Sequence, residues 1–197
     1  MAILPVTYRT DYQQSPAGSG QPRPGSAVFY PSTEAVNKEV AGLNTAATNL
    51  QAALKNFAQG GLLDTLYEIS PTDSVYNFKL LSATDRLVSA YNQTNEALQS
   101  YGYLNSEGAK LLQQVQAVLQ GPAAAKFESI GLTLDQATGN MKFSERRFRE
   151  AAAEEPAAVR QLLAGDRSLV PVLNSVVQSV VAKQAKYYFN SSFVTYV

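Results

Sequence analysis

Residues 33–59, TEAVNKEVAGLNTAATNLQAALKNFAQ, decide how the rest of the chain reads. Val36, Val40, Leu43, Ala47, Leu50, Leu54 and Phe57 recur there at spacings of four, three, four, three, four and three. An α-helix turns once every 3.6 residues, so all seven side chains fall on one stripe. Ser32 or Thr33 is placed to cap the start, and Gly60-Gly61 supplies the stop. At a rise of about 1.5 Å per residue such a helix is roughly 40 Å long. Its stripe has to be buried against another helix, in the same chain or in a neighbour. The residues between, Asn44, Thr45, Thr48, Asn49, Gln51 and Asn56, are polar and uncharged.

Working outward, residues 1–31 hold Pro5, Pro16, Pro22, Pro24 and Pro31 with Gly18, Gly20 and Gly25, which exclude a long regular element. Tyr8, Tyr12, Phe29 and Tyr30 give this extended arm aromatic groups for docking. Gly18-Ser19-Gly20 is no phosphate loop, because no Lys-Ser/Thr follows it and no strand pattern precedes it. Residues 61–81 read as an apolar connector: a short helix broken at Pro71, then a brief strand or extended segment over Val75 to Leu80. Ser82-Ala83-Thr84-Asp85 looks like a helix start, and Leu87, Tyr91, Thr94, Leu98 and Tyr101 form a second stripe. A third helix runs from Ser106 to Gly121-Pro122 on Leu111, Leu112, Val115, Val118 and Leu119, with a helical turn over Ala123 to Phe127 after it. Short connections suggest antiparallel neighbours.

The last third changes character. Ile130, Leu132 and Leu134, then Met141 and Phe143, alternate with polar residues around Asp135-Gln136-Ala137-Thr138-Gly139, which reads as a small β-hairpin. Ser144 caps a helix over 145–153 that buries Phe148 with Ala151 or Ala152. Glu155-Pro156 opens another, with Val159, Leu162 and Leu163 inward and Gly165 at its end. The final helix, about 168–185, carries Leu169, Val172, Leu173, Val176, Val177, Val180 and Val181, a wider apolar face than a solitary surface helix needs. Tyr187, Tyr188, Phe189, Phe193 and Tyr196 follow as an aromatic docking surface.

The expected fold is therefore mainly α: an elongated antiparallel helical bundle or coiled coil with a small β-hairpin plus short-helix subdomain. Its parts are a Pro/Gly-rich arm (1–31), a helical bundle region (32–128), the hairpin and short helices (129–166), and a terminal apolar helix with an aromatic tail (167–197).

Composition narrows the function. An apolar fraction of 45% in 197 residues provides for a real core, while charged residues are only 16% and sum to zero. That balance suits surfaces packed against copies or neighbours, and it does not suit nucleic-acid binding, which needs a basic patch. The chain has no Cys and no His. Thiolate chemistry, Cys-based metal sites, His ligands and His-dependent triads are excluded, and no cofactor or metal is expected. No carboxylates stand as an isolated pair: Glu154-Glu155 precedes a Pro-started helix, and Glu145 and Glu150 with Arg146, Arg147 and Arg149 read as a solvated, ion-paired face. A carboxylate-only mechanism, as in glycoside hydrolysis, is not ruled out by the residue types; the expectation is no enzyme. No stretch approaches 18 consecutive apolar residues, so membrane insertion is not expected. The opening MAILPV lacks a basic, long-apolar signal, which points any export to a route without a cleaved signal peptide.

From Ile130 to about Val181 the chain resembles the carboxyl-terminal region of the flagellar filament-capping protein family, hook-associated proteins of bacterial flagella. IGLTLDQATGNMKFSERRFREAAAEEPAAVRQLLAG, residues 130–165, carries the resemblance through Ile130-Gly131, Asp135, Gly139, Met141, Phe143, Phe148, Ala151-Ala152, Glu155-Pro156, Val159, Leu162-Leu163 and Gly165. Upstream, DRLVSAYNQTNEAL at 85–98 is similar to a family helix centred on Ala-Tyr-Asn, here Ala90-Tyr91-Asn92. Family members are usually longer, with β-rich heads, so the resemblance implies a shortened or divergent relative. It implies a secreted, self-associating subunit of an extracellular filament, capping, joining or decorating it, with flagellin or other filament subunits as partners. A helical adaptor or chaperone, or a subunit of another exported or viral tubular assembly, stays open beside it. Val40, Leu43, Leu50, Leu54, Leu98, Val176 and Val180 are the expected assembly residues: they must be buried, by this chain or another.

Overall fold

A computed structural model describes residues 33–58, 60–64, 73–99, 106–166 and 168–183. The arm, residues 65–72 of the connector, the turn at 100–105 and the aromatic tail lie outside the described residues. Within them are seven α-helices and one two-stranded antiparallel sheet: α1 (Thr33–Leu54), α2 (Ser74–Gln99), α3 (Ser106–Gln120), α4 (Ala124–Ser129), β1 (Leu132–Leu134), β2 (Met141–Phe143), α5 (Glu145–Glu154), α6 (Pro156–Ala164) and α7 (Leu169–Lys183). The fold is mainly α, as the helical periods demand.

The stripe of α1 becomes core: Leu43, Ala47, Leu50, Leu54 and Phe57 are all buried, packed with residues of α2 and α7. The helix tightens into a 3-10 turn over Lys55–Phe57 and stops where the predicted glycines stand, with Gly61 N–H donating to the Ala58 carbonyl at 2.8 Å. Asp64, just beyond, accepts from Gly60 N–H and pairs with Arg160 of α6 at 2.7 Å, tying this corner to the far end of the chain.

The expected strand over Val75 to Leu80 is not one. Residues 74–99 are a single helix, and Ser82 to Asp85 lie inside it. The apolar period explains the difference: Leu80, Ala83, Leu87, Tyr91 and Leu98 are buried on one continuous stripe, and Thr84, fully buried among them, donates its hydroxyl to the Leu80 carbonyl at 2.9 Å. A strand at 75–80 would need an edge to bond to, whereas a helix satisfies its own backbone. Val75 and Phe78, whose bulk and aromaticity suggested a strand, are left exposed at the start of α2.

The hairpin is where it was expected. Leu132 pairs with Phe143, Thr133 with Lys142 and Leu134 with Met141. Gly131, at φ +80, makes the close entry possible: a Cβ there would meet the Ser144 carbonyl oxygen at 2.6 Å. Ser144 caps α5, its side chain accepting from Arg147 N–H. Phe148 and Ala152 are buried, and the Phe148 ring meets Phe143 edge-on at 5.3 Å. Pro156 opens α6 from its first turn. In α7, Leu169, Val170, Leu173, Val176, Val177 and Val180 are buried, so its wide apolar face is spent largely inside this chain.

Candidate functional site

The seven expected assembly residues fall inside one apolar cluster. Leu43, Leu50 and Val180 show no exposed surface, Leu54, Leu98 and Val176 are buried, and Val40 is half-buried at the edge. What covers them is other helices of the same chain, chiefly across the α1–α2 and α1–α7 contacts. They hold the bundle together from within.

The most elaborate polar arrangement among the described residues is the seat of the hairpin tip on α2. Asp135 builds the tip: its carboxylate accepts from Ala137 N–H at 2.9 Å and Thr138 N–H at 3.1 Å, and it pairs with Lys142 at 2.7 Å. The bond to Lys142, reinforced by those two amides, holds its pKa down to about 2. Gly139 follows at φ +69 and turns the chain back.

The tip thereby presents its carbonyls to α2. Tyr91 donates its hydroxyl to the Gly139 carbonyl at 2.9 Å. Asn92 pairs with Met141 in both directions, its amide donating to the Met141 carbonyl at 3.0 Å and its side-chain oxygen accepting from Met141 N–H at 2.7 Å. A helix side chain thus fills the role of a neighbouring strand on the free edge of β2. Asn95, almost wholly buried, donates to the Thr138 carbonyl at 2.9 Å and to Asn140 Oδ1 at 2.7 Å. Gln99 donates to Asn95 Oδ1 at 2.6 Å and to the Thr138 carbonyl at 2.9 Å. Glu96 accepts from the Asn140 amide at 3.0 Å. Burial pushes the Tyr91 phenol up to about 12, so it stays protonated and keeps donating.

The Ala90-Tyr91-Asn92 and Gly139 features, noticed separately in the sequence, therefore belong to one contact. Asn95, Glu96 and Gln99 were missed. The available signal was their spacing: Asn92, Asn95 and Gln99 sit three and four residues apart, a polar stripe beside the apolar one. The network orients and locks. It places no general base against a nucleophile, and the bonds described serve to hold the hairpin on α2.

Elsewhere the charged face of α5 carries local pairs, Arg146 with Glu150 at 2.8 Å and Arg147 with Glu128 of α4 at 3.6 Å. An open cleft between α4, α5 and α6 is lined by Lys126, Arg147, Glu150 and Glu154 among apolar neighbours. Among the described residues no group of acidic side chains is arranged to hold a metal ion, and no helix is long and apolar enough to cross a membrane.

Compared with known proteins, the chain matches the family model described as flagellar hook-associated protein 2 C-terminus over residues 31–194. That range takes in both the α2 helix and the hairpin it holds. No curated protein and no solved structure gives a match.

Proposed function

The chain belongs to the flagellar hook-associated protein 2 C-terminus family, and from that membership we propose that it is a self-associating structural subunit of an extracellular flagellar filament, acting at the tip or a junction. The observation that carries this reading is the extent of the match, residues 31–194, which includes every described element. The low charge and the absence of His and Cys fit a packing role better than a chemical one. In this reading the half-buried Val40 and the buried Leu43, Leu50, Leu54, Leu98, Val176 and Val180 serve assembly indirectly. They set the helices against one another, and outer helix faces so fixed meet other subunits. Filament subunits such as flagellin are the proposed partners, and the flagellum outside the cell is the proposed location.

The test is light scattering after size-exclusion chromatography across a concentration series, followed by imaging and by pelleting with flagellar filaments. Mass that rises with concentration, or closed rings, together with binding at filament ends, is the expected result. A strict monomer that ignores filaments would overturn the reading. A monomer that captures isolated partner helices would replace it with a helical adaptor.

A further inference from the structure

The cleft between α4, α5 and α6 plays no part in the hairpin seat. It encloses about 670 Å³. One wall is formed by Arg147, Glu150, Ala151 and Glu154 of α5, spaced i, i+3, i+4 and i+7 and so on one helix face. The facing wall is Ala158 and Leu162 of α6, one turn apart, and Ile130, just past α4, joins Val159 in the floor. Ile130 and Val159 are buried, whereas Ala151, Ala158 and Leu162 keep part of their surface open. The bottom is thus apolar and built largely of small side chains. Two helix faces with such a floor between them make a groove that the ridge of a third helix can enter.

The rim is charged, and its charges are sorted by sign. Arg147 stands beside α4, pairing with Glu128 at 3.6 Å, and Lys126 of α4 lines the same end. Glu154 and Glu155 stand two turns farther along, at the junction of α5 and α6. At a rise of about 1.5 Å per residue that is roughly 10 Å from Arg147. Glu150, midway, is engaged by Arg146 at 2.8 Å. Lys126, Glu154 and Glu155 make no ion pair among the described residues. Glu155 holds the N-cap position of α6, yet its side chain does not cap the helix. The cleft is therefore basic at the α4 end and acidic where α5 meets α6, with charges at both ends available to a partner.

We propose that this cleft receives an amphipathic helix of a different protein, with carboxylates in its first turn and Lys or Arg in its last, lying in the same direction as α5. Its apolar stripe enters against Ala151, Ala158 and Leu162. Its acidic turn meets Lys126 and Arg147, and its basic turn meets Glu154 and Glu155. That charge order is the one the helix macrodipole favours, so charge complementarity also fixes the direction in which the helix lies. A second copy of this chain does not supply such a helix. Among the described residues α1, α3 and α5 carry an acid in the first turn without a base in the last, α4 and α7 the reverse, and α2 and α6 neither. The inference goes beyond the filament role proposed above and does not depend on self-association.

The experiment uses the full chain and two fluorescent, end-blocked peptides of about 18 residues, long enough to be helical alone. Both carry an Ala/Leu stripe; one has Glu in its first turn and Lys in its last, and the other has these exchanged. Fluorescence anisotropy should show the first bound about tenfold or more tighter than the second, with the gap narrowing as salt is added. Lys126→Glu/Glu154→Lys leaves each end of the cleft with one charge of either sign, and the preference should vanish. Both positions are exposed, and circular dichroism checks that the variant melts like the wild type. Ala158→Phe fills the cleft and should weaken both peptides; should it melt early, the charge exchange alone decides. Equal binding of the two peptides, binding of neither, or a preference that survives the charge exchange would overturn the proposal. So would a charge exchange that alters self-association in light scattering and leaves peptide binding unchanged, because a second copy would then be the occupant. A wild type that is monomeric yet discriminates between the peptides would remove self-association and leave this inference standing.

Discussion

The hydroxyl of Tyr91 on α2 donates to the carbonyl oxygen of Gly139 in the hairpin tip at 2.9 Å, across 48 positions of sequence. Tyr91→Phe keeps the ring and removes the donor, leaving a carbonyl that has lost its partner. The expected loss is about 1–2 kcal/mol, read from urea unfolding. The same variant has an alkaline signature. Burial raises the folded-state pKa to about 12, above the ordinary value of about 10, so the contribution is fully present below about pH 10 and is lost as pH rises through about 12. The wild type should lose more stability over that window than Tyr91→Phe, and equal losses would count against a buried phenol.

Gly139 is constrained from both sides. Its φ is +69, and a Cβ would stand 2.9 Å from Gln99 Nε2 and 3.2 Å from Asn95 Oδ1. Gly139→Ala should therefore cost about 1–2 kcal/mol from the left-handed backbone alone, with more from displacing those amides. Thermal melts should show a lowered Tm; an unchanged one would mean the tip sits differently.

Asn92 mimics a strand edge only as an amide. Asn92→Asp places an acceptor where a donor faces the Met141 carbonyl, and a loss of about 1–3 kcal/mol is expected. Hydrogen exchange at Met141 N–H is the sharper measurement, because that proton bonds to Asn92 Oδ1. Its protection should survive in Asn92→Asp and vanish in Asn92→Ala.

Asp135 sets an acid limit. Its folded pKa is depressed to about 2 by the bond to Lys142 and the two turn amides, so its contribution is present above the unfolded value of about 3.9 and lost as pH falls through about 2. Asp135→Asn retains an acceptor for the turn but does not titrate. Its stability should fall less steeply than that of the wild type between about pH 4 and 2, as followed by far-ultraviolet circular dichroism.

Leu50 lies at the centre of the first stripe with no exposed surface. Leu50→Ala should cost about 2–5 kcal/mol from lost transfer energy and the cavity left behind. Leu50→Asp adds an unpaired buried charge and should cost still more. Wild-type stability in either variant would remove α1 from the core.

Much of this architecture was legible because its signals are local. The spacing of Val40 through Phe57, the Gly60-Gly61 stop, the Ser144 cap, Pro156 in a first turn and the Asp135 to Gly139 reversal each act within a few residues. The start of α2 was misread for a related reason. Val75, Tyr76 and Phe78 carry strand propensity locally, but Leu80 and Leu81 belong to the buried stripe of the following helix, and packing outweighs a propensity worth tenths of a kcal/mol per residue. The hairpin seat was hidden because Asn and Gln on a helix look alike whether they face water or a carbonyl.

Local signals thus placed most of the helices, the hairpin turn and the faces that must be buried, and having neither His nor Cys removes the chemistries that depend on them. That α1, α2 and α7 bury one another within a single copy, and that Tyr91, Asn92, Asn95 and Gln99 clasp the turn at Gly139, emerges only once the elements are packed. Periodicity states that a face must leave water, and the hydrophobic effect that enforces this has no direction. Which partner covers the face, and which distant carbonyl meets a given amide, depends on how all the elements pack at once.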